Sequence, residues 1–111
     1  MKQIKNLTPH EIIILNDSNE SITIKPEGTI ARCNQSNKPI GYIKTDCSII
    51  AISETQFGEV YNLPKPEPDT YYIVSRLVMQ ACPERTDLLV PNEIIRDDKG
   101  NIIGCASLAN N

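Results

Sequence analysis

The chain has 111 residues, 40% apolar and 23% charged, which suits a single domain over residues 1–111 whose modest core needs no disulfides. Eleven Lys and Arg stand against 14 Asp and Glu, and residues 61–111 carry five positive and seven negative charges, so nucleic-acid binding is not expected. Four Tyr, one Phe and no Trp argue against stacking of bases along a strand, and apolar runs of about four residues fall far short of the ~20 a spanning helix needs. With no secretory leader visible in the sequence, a soluble, cytoplasmic protein is expected.

The predicted elements begin with KQIKNL, a short strand. TPH bends the chain, because Pro9 fixes its own φ and pushes Thr8 toward an extended conformation. EIIIL (11–15) is apolar on both faces and reads as a central strand. NDSNE is a polar turn. SITIKP alternates, with Ile22 and Ile24 on one face and Ser21 and Thr23 on the other, the period of a half-buried strand. Pro26, Glu27 and Gly28 turn the chain, and TIARC resumes extended structure. NQSNKP is a loop by composition. GYIKT and CSIIAISE are strands split at Thr45 and Asp46, and FGEV (57–60) is a bend into a further strand. The alternating prolines of NLPKPEPDT (62–70) forbid helix and favour an extended connector.

YYIV then reads as a strand and Ser75 as the N-cap of a short helix, stopped by Pro83. Leu77, Val78, Ala81 and Cys82 form its apolar face. LLVP is a further strand, and NEIIR, DDKGN and IIGCASL form a hairpin with Gly100 in the left-handed position. The expected fold is therefore α+β, mostly β: a compact small sheet or barrel with one short helix after the Pro-rich connector.

Chemistry-bearing residues are few. Cys33, Cys47, Cys82 and Cys105 form no CxxC pair and are expected to be reduced, buried thiols. His10 is the sole histidine, so neither a multi-His metal site nor a defined Cys–His pair is indicated, and no metal or cofactor is expected. Asp97 and Asp98 lie in a hairpin turn, where acidic residues serve the backbone. Of the four arginines, Arg76, Arg85 and Arg96 fall within 21 residues, and Arg is the side chain suited to planar recognition of phosphate. Ser75 and Arg76 at a helix start suit an anion as well as a simple cap. PERTD (83–87) reads as an exposed loop that brings Arg85 and Thr86. The candidate ligand-binding set is Ser75, Arg76, Arg85, Thr86 and Arg96, with His10 and a stacking ring from Tyr71 or Tyr72.

The segments NLTPHEI, FGEVYNLP, YYIVSRLV, DLLVP and RDDKGNIIGCASL together resemble small proteins encoded by phages and bacterial mobile elements, over well more than half the chain. The resemblance implies a phage-linked origin, hence the host cytoplasm, and no particular chemistry. By analogy of size and context with phage anti-defence sponges, which sequester nucleotide-derived immune signals, it implies a non-enzymatic homo-oligomer that captures a small anionic, nucleotide-derived ligand. Two other readings stay open. One is a protein-interaction module using Pro64–Pro68 or a strand edge. The other is an enzyme that degrades a nucleotide signal.

Overall fold

A computed structural model describes residues 2–16 and 20–110 of the chain. It is mostly β, with one short helix. The strands are β1 (Gln3–Asn6), β2 (Ile12–Leu15), β3 (Ser21–Ile24), β4 (Arg32–Lys44), β5 (Ile49–Tyr61), β6 (Thr70–Ile73), β7 (Leu88–Arg96) and β8 (Ile102–Asn110), and the helix α1 (Arg76–Ala81) follows β6. Six strands form a mixed sheet in the order β1-β6-β7-β8-β2-β3, while β4 and β5 pair only with each other.

The sheet curls so that its two edges meet. Asn6 bridges to Pro26, just past β3, and its carbonyl accepts a hydrogen bond from Glu27 N at 2.8 Å. Ala31 N donates to Leu7 O at 3.0 Å. The chain can therefore leave β1 at one edge and enter β2 beside the other across the short TPH bend. The result is a partly closed barrel, a way of limiting open strand edges. β2 is flanked on both sides, as its two-faced apolar sequence predicts. β3 is an outer strand, and Ile22 is half exposed.

The core lies between this sheet and α1. Tyr72, Val74, Leu88 and Val90 from the sheet pack with Val78, Met79 and Cys82 from the helix and with Leu7 and Ala31. Ser75 caps the helix as expected, its Oγ accepting from Val78 N at 3.3 Å. The buried helical face is Val78 and Met79 with Cys82 at the cap, while Leu77 and Ala81 are half-buried. The helix packs against β7 on one side and the root of the β4–β5 hairpin on the other, which turns the face toward Met79. The expected LLVP and NEIIR segments are one strand, β7, with Glu93 at φ 54° and the register against β8 shifting between Ile95 and Arg96. Its hairpin with β8 turns through Gly100 at φ 86°.

The largest departure from the sequence reading is the hairpin of β4 and β5. NQSNKP is strand, not loop, because residues 35–39 pair in register with 57–53. A polar ladder wet on both faces carries no hydrophobic period, so composition misreads it. Pro39 sits where the register shifts, a position that tolerates a missing donor. FGEV does not bend into a strand; it lies inside β5, with a bulge opposite Asn34. The expected turn at NDSNE lies largely on residues 17–19, outside the described residues; Asn16 N donates to Glu20 O across it at 3.1 Å.

This hairpin is an arm. The long dimension of the molecule is 56 Å and its radius of gyration 17.7 Å, against about 13 Å for a compact domain of this length. Only the arm's root, near Cys33 and Val60, packs on the core.

Candidate functional site

Asn6 organises the region around the bend. It is wholly buried, and its amide nitrogen donates to His10 O at 2.7 Å and Ile24 O at 3.0 Å. Its side-chain oxygen accepts from Thr8 N at 2.9 Å and Thr8 Oγ1 at 2.6 Å. The NLTPH segment is thereby held as a ridge beside Ser75. On one side of the ridge, a concavity of about 250 Å³ is lined by Ile30, Arg32 and Leu77. On the other, a groove of about 420 Å³ is polar at one end, with Thr8, His10, Ser75 and Arg76, and apolar at the other, with Ile12, Val74, Val90, Pro91 and Ile94. It runs into a smaller hollow of about 160 Å³ that shares Ile12, Pro91 and Ile94 and adds Glu11 and Ile102.

The structure thus brings together three of the predicted residues: His10, Ser75 and Arg76. Arg76 is exposed and has no hydrogen-bond or ionic partner among the described residues. The remainder go elsewhere. Arg85 does not present a free guanidinium. Its Nε and Nη2 donate to the two carboxylate oxygens of Asp87, both at 2.8 Å, and Nη2 also donates to Pro64 O at 3.0 Å. That pair holds the proline connector against the loop after α1. Its hydrogen bonds place the Asp87 carboxyl below the usual carboxylate range. Arg96 donates to Gly100 O at 2.9 Å in the β7–β8 hairpin. Of the three arginines, Arg76 lines the groove, while Arg85 is engaged by Asp87 and Pro64 and Arg96 by Gly100.

Tyr72 is also corrected. It is 1% exposed, a core residue that no ligand can stack on. Tyr71 and Thr86 share a different hollow with Lys2, Glu67, Asp69 and Asp87. Lys2 Nζ lies over the Tyr71 ring and 3.3 Å from its hydroxyl. With Asp87 neutralised by Arg85, that hollow keeps two carboxylates against one ammonium and disfavours an anion.

Nucleophilic chemistry finds little purchase. Burial first, and Glu84 second, push the Cys82 thiol above its usual range, so it is protonated at neutral pH. Cys105 is buried, and its thiol lies 3.5 Å from Ile13 O. Cys47 is exposed in the arm's tip turn, against the expectation of buried thiols. Among the described residues no three His, Cys, Asp or Glu side chains form a metal-binding group, and no helix is long and apolar enough to cross a membrane.

The feature that sequence reasoning missed is the arm's tip. Tyr42 is 75% exposed, Ile49 65%, Ile40 57%, Ile43 53% and Ile50 49%. Register places Tyr42 and Ile49 on one face of the ladder and Ile43 and Ile50 on the other, so the tip is apolar on both sides. The signal was present in YIK and SIIAI flanking a short turn, with no third strand nearby to cover them. Thr45 closes that turn, accepting from Ser48 N at 3.0 Å. No protein-family model matches the chain, and no curated protein or solved structure matches it either.

Proposed function

We propose that this chain is a binding protein that works by docking, with the β4–β5 arm as its contact element. The observation that carries this reading is the two-faced apolar tip held outside the core. An isolated two-stranded ribbon is marginal in water, and monomeric proteins rarely present contiguous apolar surface of this kind without a partner. The reading moves the contact from Pro64–Pro68, which is tied down by Arg85, to the arm. A photo-reactive benzophenone amino acid in place of Tyr42 tests it in cells. Covalent adducts to a protein identified by its peptides, absent when the probe replaces exposed Glu27, are the expected result. Equal labelling from both positions overturns it.

One observation favours a second reading. Arg76, without a partner among the described residues at the polar end of a groove with His10 and Ser75, suits a small anion. In the setting of the phage-type resemblance that anion is a nucleotide-derived signal, and the protein a sponge for it. Calorimetry with cyclic nucleotides and ADP-ribose tests this, with Arg76→Ala as the control. No binding to any of them removes it.

A further inference from the structure

The arm and the groove are complementary, and both belong to one chain. The arm ends in an apolar tip with Asp46 at its apex turn, exposed and without a partner among the described residues. The groove is apolar along Ile12, Pro91 and Ile94 and ends at Arg76. Ile94 and Ile102, which line its far part, are 47% and 60% exposed. A second opposite pair exists in Lys44 of the arm and Glu11 of the groove. Within one chain the two parts stay separate, because β4 and β5 pair only with each other and the arm's root is fixed by α1.

We propose that the arm tip of one copy docks in the groove of a second copy, with Asp46 of one meeting Arg76 of the other. This rests on the docking reading above and names its partner. Area supports reciprocity. Half of an isoleucine or tyrosine side chain offers roughly 100 Å². The five exposed tip residues then offer about 500 Å², and one arm in one groove covers ~1,000 Å² counting both sides. Stable interfaces run from about 1,200 to 2,000 Å². A single arm falls short, whereas two arms exchanged about a two-fold axis reach ~2,000 Å².

Charge reversal tests the pairing, with association read by sedimentation velocity. The wild type is expected to sediment as two chains at about 50 µM, the upper range of a specific micromolar contact. Asp46→Arg and Arg76→Asp, both at exposed positions, are each expected to weaken association about tenfold or more. An equimolar mixture of the two variants should restore it, since every arm–groove contact between unlike copies then joins opposite charges. Restoration by mixing excludes misfolding and any contact within one chain. A monomeric wild type at ~100 µM, or a mixture no tighter than the single variants, overturns the proposal. If the wild type is monomeric yet the probe at position 42 labels a different, identified protein, docking stands and the second copy falls. If it labels nothing, docking falls as well.

Discussion

Asn6 uses all of its side-chain hydrogen-bonding groups on three residues, Thr8, His10 and Ile24, that lie on both sides of the barrel's closure. Alanine there leaves the part-buried Ile24 carbonyl and Thr8 amide without that partner, each worth about 1 kcal/mol or more, while His10 O keeps the Thr8 hydroxyl at 3.1 Å. Asn6→Ala is expected to lower stability by about 2 kcal/mol in a urea melt, and Asn6→Asp to do no better, because a carboxylate cannot donate to the two carbonyls. Tyr72 is the opposite case. Its hydroxyl is buried with no hydrogen-bond partner among the described residues. Tyr72→Phe should be neutral or stabilising by up to ~1 kcal/mol, and a clear loss of stability would show that the phenol does hold a partner. Asp87 sets a pH response. Its folded value is depressed, chiefly by the hydrogen bonds from Arg85, so its contribution is present above the unfolded carboxylate value of about 4 and is lost as pH falls through the lower folded value. Asp87→Asn should therefore be less stable than wild type at pH 7, with the gap closing below about pH 4.

At the scale of elements, β2 and β8 meet at one parallel step, Ile14 opposite Cys105, and Gly104 makes that approach possible. A Cβ on Gly104 would lie 2.9 Å from Ile13 O, a backbone atom that cannot swing aside. Gly104→Ala should cost about 2 kcal/mol by thermal or urea melting, from forced separation of the two strands. An unchanged melt would mean that β2 yields freely. These elements also show what the sequence made legible. β1, β2, β3, β6, the Ser75 cap and the Gly100 turn follow local rules of alternation, capping and left-handed backbone, and each sits where those rules place it. The arm follows such rules only toward its tip, where GYIKT and CSIIAISE are strands on either side of the Thr45–Ser48 turn as expected. Asn34–Pro39 and Thr55–Gln56 are polar, and only their pairing with each other makes them strand. Candidate residues divide on the same line. Ser75, Arg76 and His10 meet because Asn6 holds the NLTPH ridge against the start of α1. Arg85 was lost to Asp87, two residues away, a local pairing that a tally of arginines overlooks. Tyr71 and Tyr72 differ only by strand alternation, which turns one ring outward and the other into the core.

The molecule as a whole is a small curled sheet with a detached lever. Among the described residues all of the buried apolar core lies in the body: Leu7 and Ala31 precede the arm, and Tyr72 through Cys105 follow it. Between Gln35 and Thr55 no residue is buried, and the ladder there joins Asn37 to Thr55 and Lys38 to Glu54 in solvent. Folding of the body should then be independent of the arm. Replacing residues 36–56 by an Asn-Gly turn, which suits the twist of a two-residue hairpin loop, closes β4 on β5 at the paired residues Gln35 and Phe57. The shortened chain is expected to keep a cooperative melt within a few degrees of the monomeric wild type, because a shorter loop loses little and no core contact goes with it. Its radius of gyration by X-ray scattering should be about 12 Å, the value for a compact domain of that length, against 17.7 Å for a single full-length chain. It should also no longer associate, whatever its concentration. A shortened chain that is unfolded would make the arm part of the folding unit. A shortened chain that is folded and still paired would place the interface on the body alone. A folded, compact and monomeric one assigns stability to the barrel and association to the arm.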